Sequence, residues 1–206
     1  MISINKHIKP VSALILAAGE SKRMNYPKSL LPVSNGARFI DKIIREFVNF
    51  GCREILVVIN KNLKDYISYD GNIKIIVNEN LAYERFYSIK IGLRELYILK
   101  PSTQDDISEF CFIHNVDNPF ISGEILSTLY KNKLEDGYVF PTFNDKGGHP
   151  ILMGKKIINA IISEEKNDLN FREFLNNYIY KKIELNDDSI LININSMKDY
   201  NQYINI

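Results

Sequence analysis

Three residues of this chain have the chemistry to handle a polyphosphate: Arg23, Lys28 and, far downstream, Asp117. The two cations follow Leu14-Ile15-Leu16-Ala17-Ala18-Gly19-Glu20-Ser21, an apolar run that empties into small residues. Backbone N–H groups at Ala17, Ala18 and Gly19 can approach a ligand with little Cβ in the way. Bare amides followed by Arg and then Pro27-Lys28 make a loop suited to phosphate oxygens. The plainer reading is a strand, a turn and two solvated basic residues. The loop is not a Walker motif, because Gly19 is followed by Glu20-Ser21 where Lys-Ser/Thr is needed. It is not a dinucleotide fingerprint either, since G-x-G-x-x-G is absent. Asp117 follows a second apolar run, Phe110-Cys111-Phe112-Ile113, which ends at His114-Asn115-Val116-Asp117-Asn118-Pro119. A carboxylate there can hold Mg²⁺, which takes oxygen ligands and bridges phosphates. The competing reading of Asp117 is a turn residue ahead of Pro119.

Composition narrows the classes of function. A chain of 206 residues with 45% apolar and 25% charged content is that of a soluble globular protein, and reads as one domain over 1–206. A net charge of +1 leaves no basic excess for a nucleic-acid or membrane-surface partner. No apolar run approaches the ~18 residues of a spanning helix, and the first residues show no secretory h-region. Cys52 and Cys111 read as small core hydrophobes. The compartment these features point to is the cytoplasm.

The elements that must position these residues alternate. Val11 to Leu16 and Glu54 to Ile59 are continuous apolar strands of the kind covered on both faces. Between them a helix runs to Phe50 with Ile40, Ile43, Ile44, Phe47 and Val48 on one face, closed by Gly51. Further spacing predicts a short helix from Asn62 to Ile67, a strand from Ile73 to Val77, a helix from Glu84 to Leu99 and a polar loop from Pro101 to Ser108. After the Phe110 strand come a helix from Ser122 to Lys133, a strand at Tyr138 to Phe140 and a turn at Gly147-Gly148-His149-Pro150. Strand Ile151 to Met153 and helix Lys156 to Ile162 follow, then strands Ile179 to Leu185 and Ile190 to Ile194, and a last helix from Ser196 to Tyr203. Such alternation indicates an α/β fold: a doubly wound, mostly parallel sheet with helices on both faces and a small mixed C-terminal extension. Ligands of such sheets bind beyond the carboxyl ends of the strands, where the Gly19 loop and Asp117 both lie.

The first loop resembles the signature of MobA-like nucleotidyltransferases, L-A-A-G-x-S-x-R-M-G-x-P-K-x-L-L. Leu16-Ala17-Ala18-Gly19, Ser21, Arg23-Met24, Pro27-Lys28 and Leu30-Leu31 match it, and Asn25 stands in place of a Gly. Asn is the next residue after Gly to accept a left-handed backbone. The resemblance implies a Rossmann-like, GT-A-type nucleotidyltransferase fold and Mg²⁺ as cofactor. It makes Arg23, Lys28 and Asp117 the candidate catalytic residues, and Leu16, Ala17, Ala18, Gly19, Glu20, Ser21, Arg23 and Lys28 the nucleotide-binding stretch. Asn78 and Ser88 match positions that contact nucleoside in the family, although Ser88 also reads as an ordinary helix serine. Ala18, where GTP-using relatives have a second Gly, implies a pyrimidine nucleotide, CTP or UTP.

Val116-Asp117-Asn118-Pro119 fits the family's V-D-x-P strand end. Gly148-His149-Pro150 resembles the Gly-His-Pro segment of the molybdopterin cytidylyltransferase branch, which makes Gly148 and His149 acceptor-side candidates; a lone His before Pro is otherwise a turn residue. Asn195 stands where an Asp is expected near the metal, so the metal candidates are Asp117 and Asn195. The implied reaction joins a nucleoside monophosphate, CMP from CTP, to phosphorylated molybdopterin with release of pyrophosphate. The implied partners are a nucleoside triphosphate, a small phosphorylated acceptor, and a molybdoenzyme or maturation protein. A sugar phosphate, polyol phosphate or phosphocholine acceptor is the alternative. A non-catalytic nucleotide-binding protein, with turnover lost through Asn195, is the third reading.

Overall fold

A computed structural model describes residues 9–97 and 108–204. The four strands carrying the strongest apolar runs pair in parallel: β1 (Val11–Ala17), β2 (Ile55–Asn60), β3 (Ile73–Asn78) and β4 (Phe110–Asn115). Their order is β3-β2-β1-β4, so β1 has β2 on one side and β4 on the other. The chain leaves β1 toward one edge and returns later on the opposite side. That reversal opens a crevice above the carboxyl ends of β1 and β4.

Alternation along these strands sends side chains to two cores. Ala13, Ile15, Ile55, Val57 and Ile59 pack on one face, and Leu14, Leu56 and Val58 on the other. The first face is covered by α1 (Phe39–Phe50), α3 (Gly123–Lys131) and α6 (Met197–Tyr203). The second is covered by α2 (Glu84–Tyr97), α4 (Lys155–Ser163) and α5 (Phe171–Leu175). The spacing of Ile40, Ile43, Ile44 and Phe47 puts all four inside, each worth about 1.5–3 kcal/mol of burial. Gly51 ends α1 with φ 93°, and Ser122 caps α3 by accepting from Ile125 N.

The second half of the sheet is antiparallel at its start. A hairpin of β5 (Gly137–Phe143), β6 (Lys146–Gly147) and β7 (Ile151–Gly154) docks β7 against β4. The break between β6 and β7 is the cis His149-Pro150 bond. On the far side of β5, β8 (Ile179–Glu184) pairs in parallel as an edge strand. The sheet is therefore mostly parallel with helices on both faces, as expected.

Two expectations change, and one helix was not foreseen. The segment expected as a helix from Asn62 to Ile67 makes one 3₁₀ turn at Lys61–Leu63, because Asn60 turns the chain by accepting from Asn62 N. The strand expected at Ile190 to Ile194 is a 3₁₀ turn at Asp188–Leu191 followed by an unladdered segment; Asp187 accepts from Ser189 N and bends the chain. Alternating Ile and Asn mimic a strand, but the Ile190 carbonyl is taken by the Asn118 side chain and the His149 amide. Helix α5, capped by Asn170, has too short a period to be seen in the sequence. Leu99 and most of the Pro101 to Ser108 loop lie outside the described residues. Among the described residues no helix is long and apolar enough to cross a membrane, and Cys52 and Cys111 are free and buried.

Two glycines mark close approaches that separate flexible from rigid obstacles. A Cβ on Gly92 of α2 would meet the Leu14 Cδ1 at 2.4 Å, the mobile end of a side chain. On Gly154 it would meet the Glu135 and Leu134 carbonyl oxygens at 2.1 and 2.3 Å. Gly154→Ala should therefore lower stability by about 3 kcal/mol. Gly92→Ala should cost clearly less, since Leu14 can shift and the helix gains about 1 kcal/mol of propensity. Urea unfolding midpoints of the two variants check the ranking.

Candidate functional site

The crevice above β1 and β4 is a cleft of about 360 Å³. Its floor and one wall are Leu16, Ala17, Ala18, Gly19, Glu20 and Ser21, with Pro27, Lys28 and Ser29 closing the loop. The loop holds its shape through unusual backbone for L-residues: Ser21 and Asn25 have φ 52° and 51°. Asn25 thus takes the left-handed conformation expected of it. Ser21 Oγ accepts from Lys28 N at 3.2 Å, joining the two ends, while Met24 is buried beneath. Asn60, at the end of β2, donates from Nδ2 to Ala18 O at 3.1 Å and fixes the small-residue turn from the side. A Cβ on Gly19 would meet nothing within 4 Å, and its φ is not positive. Neither packing nor backbone conformation demands glycine here, which leaves the close approach of a ligand as the physical reason.

The opposite walls come from β3–α2 and from the end of β4. Asn78 and Ser88, expected on the nucleoside side, meet: Asn78 Nδ2 donates to Ser88 Oγ at 2.9 Å, and both are buried. Asn115, Val116 and Asp117 line the third side. Arg85, one helical turn before Ser88 on α2, projects into the same cleft, and sequence reading missed it. The signal was available, since residues three apart share a helix face.

The C-terminal segment completes the charged corner. Ile194 N donates to Asp117 O at 2.8 Å, and Asn118 Nδ2 donates to Ser189 O and Ile190 O. Ser196 caps α6 and Asp199 accepts from Asn195 N, so Asn195 sits on a fixed backbone. Its Oδ1 accepts from Lys28 Nζ at 2.7 Å and from Arg23 Nη2 at 3.4 Å. Lys28 Nζ is also 3.7 Å from Asp117 Oδ2. Arg23, Lys28, Asp117 and Asn195 therefore converge, with the Lys28 ammonium between the two oxygen donors expected to face a metal. Desolvation pulls the Lys28 ammonium below the usual lysine range, against the attraction of Asp117.

Gly148 and His149 do not line the cleft. Gly148 is buried against Ile190, whose carbonyl oxygen a Cβ would meet at 2.6 Å. His149 reaches the site through Asn115, whose Nδ2 lies 3.0 Å from His149 Nε2. His114, on β4, pairs Nε2 with Asn118 O at 2.8 Å, and the two imidazoles are 6.4 Å apart. Burial drives both down, His114 to about 4 and His149 to about 3, so both rings are neutral near pH 7.

Four buried side-chain atoms lack a hydrogen-bond partner among the described residues: Ser29 Oγ, His114 Nδ1, Asp117 Oδ1 and His149 Nδ1. Ser29 and Asp117 line the cleft; the histidines stand behind it. Buried unpaired polar atoms cost about 1–3 kcal/mol each and gather where a ligand supplies the partner.

The sequence model of the MobA-like NTP transferase domain matches residues 13–181. The chain belongs to that family. A curated relative, the molybdenum cofactor cytidylyltransferase of Escherichia coli (strain K12), is 28% identical over 192 residues, 92% of this chain and 93% of the relative. Rv0371c from Mycobacterium tuberculosis H37Rv has a similar fold at TM-score 0.75 and 14% identity, over 95% of this chain and 98% of its own. A second structure of it, in complex with manganese, has a TM-score of 0.73 and 13% identity, covering 95% of this chain and 98% of that one. The 4-diphosphocytidyl-2C-methyl-D-erythritol synthase of Anaerococcus prevotii DSM 20548 aligns at TM-score 0.70 and 20% identity, over 96% of this chain and 99% of its own. As a member of the MobA-like family, the chain is a nucleotidyltransferase.

The neutral histidines give the fold an acid sensitivity. Their folded values lie below the unfolded value near 6.5, so the unfolded chain binds protons that the folded rings refuse, and stability falls as pH drops from 6.5 toward 4. The slope is at most about 1.4 kcal/mol per pH unit for each ring. Urea midpoints between pH 6.5 and 5, a window above carboxylate titration, should show this loss, and His149→Asn should remove about half of the slope.

Proposed function

We propose that the chain transfers CMP from CTP to a small phosphorylated acceptor, with the acceptor phosphate of molybdopterin as the first candidate. The observation that carries this reading is the Asp117 carboxylate. It stands at the rim of the cleft beside Lys28, with one buried oxygen that no protein group satisfies. Asp117 Oδ1 and the Asn195 carbonyl are hard oxygen donors, and among the described residues no group of three His, Cys, Asp or Glu forms a cage. That donor set fits Mg²⁺, which is held by one or two protein oxygens plus substrate phosphates. When bound, Mg²⁺ neutralises phosphate charge; for Asn195 to ligate it, Lys28 must leave the Asn195 oxygen.

The protein's own part is positioning and charge neutralisation. The amides of Ala17 to Ser21 and the Arg23 guanidinium take the β- and γ-phosphates. Lys28 lies against the α-phosphate, where negative charge builds as an acceptor oxygen bonds to phosphorus and the bond to the bridging oxygen breaks, releasing pyrophosphate. The attacking phosphate is already anionic, so no strong base is required, in keeping with two neutral histidines.

The methyl of Ala18, buried on the cleft wall, narrows the base site and favours a pyrimidine over a purine. The name of the E. coli relative supports cytidine and molybdopterin. This reading takes the whole chain as one nucleotidyltransferase domain, cytoplasmic, with a molybdoenzyme or maturation protein downstream.

Pyrophosphate release with Mg²⁺, each nucleoside triphosphate and a panel of acceptors tests the reaction. Turnover with CTP and molybdopterin is expected; turnover with a sugar phosphate, polyol phosphate or phosphocholine instead would move the acceptor. Nucleotide binding without release from any pair would leave only a binding protein. Lys28→Ala should lose about 3–4 kcal/mol of transition-state binding, roughly a hundred- to thousand-fold in rate, and normal turnover by it would refute its assignment.

A further inference from the structure

Two cations of the charged corner are already engaged in the free protein, both on the Asn195 oxygen. Arg85 is different. It lines the cleft from the first turn of α2, and its guanidinium donates no hydrogen bond to any described residue. A guanidinium offers five donors in a planar fork that matches phosphate oxygens.

Placement says which phosphate. In-line displacement brings the nucleophile to the α-phosphorus from the side opposite the departing pyrophosphate. Arg23, on the β- and γ-phosphates, marks the departing side, with Lys28 beside it at the α-phosphate and both meeting at Asn195. Arg85 projects from the wall formed by α2, across the cleft from the first loop, and its charge reaches Asp117 and the His149 ring. Charge points the same way. The loop amides, Arg23, Lys28 and a divalent cation balance a triphosphate, but an incoming phosphate monoester adds roughly −1.5 to −2. Asp117 adds to that excess. Among the described residues lining the cleft, Lys28 and Arg85 are the only cations.

We propose that Arg85 binds the phosphate monoester of the acceptor and holds it on the attacking side of the α-phosphorus. This rests on the nucleotidyltransferase reading above and assigns the acceptor a class, a phosphate monoester dianion, through a residue that neither the first loop nor Asp117 supplies. Arg85 acts by binding, with the acceptor oxygen as the nucleophile.

The test uses the full chain with Mg²⁺, CTP and the acceptor that supports pyrophosphate release. Arg85→Ala should raise the acceptor KM about ten-fold or more, with the loss in KM and not in kcat, as for an interaction made equally in ground and transition states. Its CTP dissociation constant should stay within about two-fold of the parent, and Arg85→Lys should recover part of the KM. Inorganic phosphate, the bare anion, should inhibit the parent competitively against acceptor and inhibit Arg85→Ala several-fold less. An unchanged acceptor KM, or an equal loss in CTP affinity, would overturn the assignment, the second placing Arg85 on the nucleotide. If the parent chain turns over no acceptor, the transferase reading fails instead. Phosphate titration followed by NMR, parent against Arg85→Ala, then judges Arg85 separately: equal affinity in the two would overturn it.

Discussion

The charged corner depends on a backbone hydrogen bond from Ile194 N to Asp117 O at 2.8 Å. This bond ties the last segment of the chain to the end of β4, and the capped start of α6 then presents Asn195 to Arg23 and Lys28. Asn118 reinforces it by donating to two carbonyls of the same segment, and Tyr200 by donating to Pro32 O at 2.8 Å and stacking on Phe39. Residues from the first, middle and last parts of the sequence meet only because these contacts hold.

The cleft combines fixed cations with unsatisfied acceptors. Lys28 is partly desolvated, and its ammonium rests between Asp117 and Asn195. That arrangement spares the protein a bare buried carboxylate, while Asp117 Oδ1 and Ser29 Oγ stay unpaired. A ligand bringing phosphate oxygens and a cation would satisfy what the fold leaves open. The strained φ values at Ser21 and Asn25 sit in the same loop, where conformational cost and binding geometry coincide.

Sequence reading recovered the sheet and the helices with clear periods, because apolar alternation and 3.6-residue spacing are local signals. It failed where local pattern and tertiary context disagree. Ile190 to Ile194 has the look of a strand, yet its Ile190 carbonyl is taken by the Asn118 side chain and by the His149 amide, and no ladder forms. Arg85 passed unnoticed because an arginine in a helix looks like any solvated charge until the strand order places it over the cleft. Gly148 and His149, read onto the acceptor side, lie behind Asn115, which His149 meets through Nε2.

The sequence by itself determined the small-residue loop after β1, the parallel alternation and the residue types of the charged corner. Bare amides, basic residues at fixed offsets and branched apolar runs act through nearest neighbours in the chain. Only the tertiary structure decided which partners those groups have: that Lys28 and Arg23 share the Asn195 oxygen, that Asp117 keeps one oxygen free, and that Arg85 faces the same space. Those are contacts between residues distant in sequence, set by strand order and by the strap of the C-terminal segment, and no local pattern encodes them.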